Sequence, residues 1–293
     1  MARADHRVGL APALIAGCGY TGRRLAQRLL ESGVPVRGSG TTEASLRQIA
    51  AIGAEALPLN LDAPVAPVDG AGRLVYYSVP PALDTGDPRL DRFLASLSGT
   101  PARIVYLSTT GVYGDHAGGL VDELTPPSPQ TERAARRLAA ETHLRAWADS
   151  RQVSWCVLRV AGIYGPDRLP LDRLRRAVPA IAPHEATPGN RIHVADLVTA
   201  CVAAGREPIA GGRIYNVSDG NDESSTEFLR RVAHIADLPA PPIVSRAEAL
   251  ADPSARAFLA ESRRIDNRRM LSELGVSLEY RDLDAGIRAS LAR

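Results

Sequence analysis

Between Gly17 and Gly22 the sequence reads Gly-Cys-Gly-Tyr-Thr-Gly, with three glycines spaced for backbone to wrap a diphosphate. Gly17 suits a sharp turn, Gly19 lets backbone approach the phosphates, and Gly22 lets a following helix lie close on the preceding strand. Tyr20 and Thr21 complete the turn, and the first amides of the helix face the anion. Cys18 permits a second reading, because the apolar run ending Ile15-Ala16-Gly17-Cys18 has the form of a lipoprotein cleavage box behind the arginine-containing start MARADHR. Gly9 and Pro12 interrupt that run, and cleavage would delete the strand that the helix needs. The phosphate loop is therefore the expectation, with the lipid anchor as its alternative.

The chain contains no lysine, so all 35 of its basic residues are arginine. That excludes an amine nucleophile, a Schiff base and a Walker-type phosphate site. The net charge is only +2, with 33 acidic residues interspersed among the arginines, so neither nucleic acid nor a membrane surface is expected as a partner. No apolar run approaches the roughly 20 residues that span a bilayer. Cys18, Cys156 and Cys201 are too scattered for a disulfide framework or a metal knuckle, which points to a reducing cytoplasm and no metal.

The elements that must position the glycine loop follow from the apolar pattern. Ala13–Ala16 reads as a buried strand, Arg23–Glu31 as a helix stopped by Ser32-Gly33, and a second strand begins at Val34-Pro-Val36. Further strands are expected at Ala56–Leu61, Arg73–Val79, Arg103–Thr109, Ser154–Val160 and Arg213–Ser218. Helices are expected at Glu43–Ile52, Arg89–Leu97 and Thr131–Asp149. Strands alternating with helices imply an α/β fold with a doubly wound parallel sheet, whose ligands sit beyond the carboxyl ends of the strands. After Gly165 the alternation breaks. Residues 1–165, with 191–218 returning to them, are expected to form the dinucleotide-binding domain. Residues 166–190 and 219–293 are expected to form a smaller substrate lobe.

Five separated pieces, "IAGCGYTG", "YLSTTGVYGD", "LRVAGIYGP", "NRIHVADLV" and "IYNVSD", occur in this order. Together they resemble the extended short-chain dehydrogenase/reductase superfamily, in its NAD(P)-dependent epimerase/dehydratase branch. The resemblance implies a Rossmann-type domain with a small C-terminal substrate lobe. It also implies a Ser or Thr after the fifth strand, with a Tyr and a Lys four residues apart on the next long helix. In that arrangement the ammonium lowers the phenol's pKa, and the phenol exchanges a proton with the substrate while hydride moves at the nicotinamide.

Thr109 falls at the Ser/Thr position. Counting back from Glu141, the family's helix glutamate, places Arg133 at the Tyr position and Arg137 at the Lys position. Arg137 can bond a ribose and supply positive charge, but an arginine is always protonated, so Arg133 cannot replace the phenol. The chain thus resembles an atypical branch that lacks the pair. Tyr113 and Tyr164, each near the end of a strand, are the phenols that could stand in, Tyr113 alongside Thr109 being the catalytic choice.

For the cofactor, no carboxylate ends the second strand, which reads Arg37-Gly-Ser-Gly-Thr41, and this leans toward NADP over NAD. Thr41, Asn60 and Leu61 on the adenosine side, and Ser78, Val79 and Pro80 at the end of the fourth strand, are the further contacts the resemblance implies. Arg159, Arg168 and Arg191 are the expected partners of an anionic small-molecule substrate, while His193 and Asp196 brace the segment between the lobes. Family members pair through the helix Thr131–Asp149, so a homodimer is expected there. Two functions remain open: an oxidoreductase or epimerase of a small carbonyl or nucleotide-sugar, and an NAD(P)-binding sensor or scaffold without chemistry.

Overall fold

The protein is described by a computed structural model covering residues 11–82, 87–206, 212–251 and 261–292. The opening segment MARADHR, on which the lipid-anchor alternative rests in part, lies outside the described residues. Seven strands form the main sheet: β1 (Ala13–Ala16), β2 (Val36–Gly40), β3 (Glu55–Pro58), β4 (Leu74–Tyr77), β5 (Arg103–Thr109), β6 (Ser154–Val160) and β7 (Arg213–Val217). Their order across the sheet is β7-β6-β5-β4-β1-β2-β3. The pairs β1·β2, β1·β4, β2·β3 and β4·β5 are parallel. This is the Rossmann-type α/β fold expected from the alternating pattern. The order reverses beside β1, so the turn that leaves β1 stands at the switch point where such sheets bind ligands.

Each element follows from local chemistry. β1 reads Ala-Leu-Ile-Ala and is buried at every residue, as a central parallel strand covered on both faces must be. The helix α1 (Tyr20–Glu31) buries Leu25, Ala26 and Leu29 and ends where Gly33 adopts a φ of +77°. It begins three residues before the expected Arg23, because Gly19 serves as its N-cap and Tyr20, Thr21 and Gly22 form its first turn. The Arg24 guanidinium covers the Tyr20 ring at 3.9 Å and donates to the Tyr20 carbonyl, fastening that turn. The helix α2 (Glu43–Ala51) starts with a reciprocal capping box between Thr42 and Ser45. β3 stops at Pro58 rather than Leu61, since Asn60 Oδ1 accepts the Asp62 amide and bends the chain into a loop. The helices α3 (Pro88–Ser96) and α4 (Glu132–Ser150) lie within one residue of expectation, and β5 and β6 match it.

The chain forms two compact units. The first is Met1–Leu107 with Ala139–Val157 and Cys201–Arg213, and the second is Ser108–Leu138 with Leu158–Ala200 and Ile214–Arg293. In the first, the buried Arg103 donates to the carbonyls of Ala204 and Arg206, closing the end of the helix Val194–Gly205. In the second, Gly162–Tyr164 pairs in parallel with Arg191–His193, and Leu120–Val121 pairs with Arg264–Ile265. The loop after β5 is tied to the C-terminal segment by further bonds. His116 and Gly118 amides donate to the Ser262 carbonyl, the Ser262 amide donates to Asp115, and the Arg263 guanidinium donates to the Gly114 carbonyl. Asn190 grips the same segment from the other side, donating to the Arg263 carbonyl and accepting from the Ile265 amide. Asp196 accepts the amides of Glu279 and Tyr280, and His193 faces the Ser290 hydroxyl at 3.3 Å.

A separate apolar core in this unit gathers Tyr164, Leu174, Leu229, Val232, Leu283 and Ile287. Tyr164 stands edge-on to His193 and Phe228, and its hydroxyl abuts Gly286 in the helix Leu283–Leu291. A Cβ at Gly286 would lie 3.1 Å from Cε2 of that ring and collide with the hydroxyl. Glycine inside a helix normally costs about 1 kcal/mol against alanine. Here Gly286→Ala is expected to destabilise by about 1–3 kcal/mol through overpacking. Tyr164→Phe should relieve that penalty, and chemical denaturation of the two single variants and the double variant checks both expectations.

Candidate functional site

The first unit builds a tight turn around Gly17. This residue has a φ of +86°, and its amide donates to Ser39 Oγ at 2.8 Å. From the opposite neighbouring strand Ser78 Oγ donates to the Gly17 carbonyl at 2.7 Å, while the Ser78 amide donates to the Ala16 carbonyl. Two serines, one from each strand flanking β1, thus hold the turn. A Cβ at Gly17 would meet Ser78 Oγ at 3.0 Å and the Val79 nitrogen at 3.1 Å. A Cβ at Gly22 would meet the Gly17 carbonyl at 2.9 Å and Ile15 Cγ2 at 3.2 Å, which is the close helix-on-strand packing expected of it.

Gly19 differs from both. It is exposed, nothing lies within 4 Å of where its Cβ would stand, and the helix that it opens has no side-chain cap and no acidic residue in its first turn. An uncapped N-terminus of a 12-residue helix, approached over bare backbone, fits a diphosphate group. Tyr20 is half-buried and Thr21 buried in that first turn.

The residues expected on the adenosine side lie on loops of the same unit. Thr41 is exposed, next to the Thr42 cap, and no carboxylate ends β2. Arg37, earlier in that strand, is paired with Glu55 at 2.6 Å. Asn60 is exposed with its Oδ1 turned to the Asp62 amide, and Leu61 is buried with its carbonyl accepting from Arg92 at 2.7 Å. Ser78 and Val79 are half-buried and Pro80 is exposed. Sequence reasoning missed Ser39; its signal was a lone hydroxyl between the two glycines of Arg37-Gly-Ser-Gly.

The second unit gathers Tyr113, Arg159, Asn216 and Glu123. Thr109 ends β5, and its Oγ1 accepts the Gly111 amide at 3.2 Å, capping the short 3-10 turn Thr110–Tyr113. Tyr113 is fully buried, and its hydroxyl donates to Asn216 Oδ1 at 2.7 Å. Arg159, also buried, lies 4.8 Å over its ring. Burial pushes the phenol's pKa up against the opposing pull of Arg159. Asn216 Nδ2 donates to the Asp266 carbonyl, and the Asn216 amide donates to Glu123, whose carboxyl burial raises. Neither Asn216 nor Glu123 was singled out from sequence, although Asn216 stands within "IYNVSD".

The other candidates differ in exposure. Arg168 is exposed in a loop, Arg137 is half-buried on α4, and Arg133 is exposed. Arg191 is buried, its guanidinium donates to the Glu223 and Ser224 carbonyls, and it lies 4.6 Å over the Phe228 ring. Its geometry is that of a brace between segments. Burial also pushes Asp219 up to about 7, against the pull of Arg191. Among the described residues no group of three or more His, Cys, Asp or Glu is placed to hold a metal ion, and no helix is long and apolar enough to cross a membrane.

Residues 91–218 match the family described as the NAD dependent epimerase/dehydratase family. A functionally unknown conserved protein from Silicibacter pomeroyi DSS is 33% identical, superposes with a TM-score of 0.79, and shares 97% of this chain with 98% of its own. Protein YeeZ of Escherichia coli (strain K12) is 28% identical over 285 residues, 92% of this chain and 96% of its own. The UDP-glucuronic acid 4-epimerase from Bacillus cereus, solved in complex with NAD, has the same fold at 18% identity. Its TM-score is 0.71, with 95% of this chain and 96% of that one covered.

Two outcomes test the second unit. Asn216→Ala strands a buried hydroxyl and a buried carbonyl, so it should cost about 2–4 kcal/mol, against about 1 kcal/mol for Tyr113→Phe. The double variant should cost less than the sum, read by urea unfolding. Asp219 holds its proton in the folded state across the interval from an ordinary carboxylate value of about 4 up to about 7. Its contribution to stability is therefore full below about pH 4, falls as pH rises through the interval, and is lost above 7. Asp219→Asn should remove that fall, as unfolding curves at pH 4, 5.5, 7 and 8 will reveal.

Proposed function

Because the chain belongs to the NAD dependent epimerase/dehydratase family, we propose that it binds a nicotinamide dinucleotide and acts as an oxidoreductase or epimerase on a small carbonyl or nucleotide-sugar substrate. The observation that carries the reading is the open, uncapped start of α1 over Gly19, fixed by the Gly17 turn. When bound, the dinucleotide supplies or takes up hydride at its nicotinamide ring.

The remaining roles fall to the chain's own residues. Gly17 and Gly19 shape the turn, and the first-turn amides of Tyr20, Thr21 and Gly22 hold the diphosphate. Thr41, Asn60 and Leu61 meet the adenosine end, and Ser78, Val79 and Pro80 run past the dinucleotide. The sequence Ser39-Gly40-Thr41 places no carboxylate against a 2′-phosphate, which favours NADP over NAD. Arg137 supplies positive charge toward the ribose where the family has lysine. Arg159 and Arg168 attract an anionic substrate, whereas Arg191 supports the substrate lobe by bracing it.

The Gly111 amide occupies a lone pair of Thr109 Oγ1, and the Thr109 O–H is left to donate to a substrate oxygen. Tyr113 keeps its proton on Asn216, so proton exchange runs through water at Thr109. The same burial of Tyr113, with the exposure of Arg133 at the missing phenol's position, favours the second reading, an NAD(P)-responsive binding protein without turnover. Cytoplasmic residence and pairing of copies through α4 complete the proposal; Cys18, Cys156 and Cys201 are free and buried.

Calorimetric titration with NADPH and NADH is expected to give micromolar affinity, and Gly17→Val should weaken it at least about tenfold by spoiling the turn. In the enzyme reading, a carbonyl panel shows hydride transfer that Thr109→Ala lowers about 10- to 100-fold without altering dinucleotide affinity. Binding without any turnover selects the sensor, and failure of the parent to bind either nucleotide rejects both readings.

A further inference from the structure

Two loops that carry proposed dinucleotide contacts are joined by one arginine. Asn60, Leu61 and Asp62 follow β3, whereas Ser78, Val79 and Pro80 follow β4. Arg89, in the first turn of α3, donates through Nε and Nη2 to the two carboxylate oxygens of Asp62, at 2.7 and 2.9 Å. Its Nη1 donates to the Pro80 carbonyl at 3.2 Å. Asp62 in turn donates its amide to Asn60 Oδ1 at 3.0 Å, and Arg92, one turn along α3, donates to the Leu61 carbonyl at 2.7 Å. A single planar guanidinium thus spans from the Asn60 side to the Pro80 side, a span that the one-point charge of an ammonium does not supply.

The pair is a surface feature, with Arg89 28% and Asp62 58% exposed at their side chains. Exposed ion pairs add little to global stability, so its effect must be sought in the placement of the loops rather than in unfolding. The Arg89 hydrogen bonds hold the Asp62 carboxyl below the ordinary carboxylate range.

We infer that Arg89 is a positioning residue for the dinucleotide, holding the adenosine-side loop and the loop after β4 at the separation that one bound molecule must bridge. This rests on the dinucleotide reading proposed above and adds to it a residue that touches no cofactor. A ligand reaching both loops gains from their fixed spacing, because its second contact forms at high effective concentration. A fragment reaching only the adenosine-side loop does not share that gain.

The test uses the full chain, its variants R89A, R89K, D62N and the double variant D62N/R89A, titrated with NADPH, NADH and 5′-AMP. Arg89→Ala should weaken the better dinucleotide about fivefold while moving 5′-AMP less than about twofold, with the thermal midpoint shifted little. Arg89→Lys should remain weak, since it keeps the charge and loses the fork. The double variant should bind no worse than R89A, because the two changes break one interaction. Unchanged dinucleotide affinity in R89A, or equal weakening of 5′-AMP and dinucleotide, overturns the inference and leaves the dinucleotide reading standing. A parent protein that binds neither dinucleotide overturns both.

Discussion

The structure depends on a constraint at one residue: Gly17 must turn the chain through a left-handed conformation while serines from both neighbouring strands bond to it. The turn therefore exists only if β2, β1 and β4 lie side by side in register, which the parallel pairing Ile15 with Gly38 and Ala16 with Tyr77 provides. Beside it, Gly19 stands exposed at the start of a helix that has no side-chain cap. Such a helix start is hydrated in water and can exchange that hydration for an anion, which is how the packing of the sheet bears on the dinucleotide reading proposed above.

Around that turn the chain uses arginine wherever a scaffold needs a fixed positive fork. Arg103 closes a helix end from inside the core, Arg191 bridges two backbone carbonyls, and Arg159 lies over a buried phenol. The absence of lysine changes what the family's proton chemistry can be, but it suits this architectural use, since a planar guanidinium satisfies several carbonyls at once. Arginine content alone thus says little about substrate. Of the three arginines expected to meet an anion, Arg191 is committed to backbone and Arg168 stands exposed in a loop.

The fold was legible because its signals are local. A four-residue apolar strand, three spaced glycines and a helical stripe in α1 each state their own conformation, and the strands β5 and β6 could be bounded to the residue. The start of α1 was not, since its first turn holds a tyrosine and a threonine that carry weak helix preference, and the cap is a glycine without a side chain to announce it. The end of β3 was overrun because an Asx turn at Asn60 looks, in sequence, like one more strand residue. Within the site, glycine positions were readable from spacing, whereas Ser39, Asn216 and Arg89 act through partners 22, 103 and 27 residues away. Nothing in a local window records such distances. Tyr113 shows the same limit: its position beside Thr109 was readable, but not that its hydroxyl is bound to Asn216 inside the core.

The ties between the loop after β5 and the segment from Ser262 to Asp266 also govern the order in which the molecule can be made. The Ser262 amide and its Asp115 acceptor are 147 residues apart, so the loop beside Thr109 lacks these bonds while that stretch of chain is still being synthesised. Until the ribosome has delivered the later segment, β1 and the glycine turn can already be in place while the Thr109 end waits unfastened. A nascent chain would therefore complete its glycine turn well before the Thr109 end is fastened, and a truncation near residue 260 would leave the first without the second.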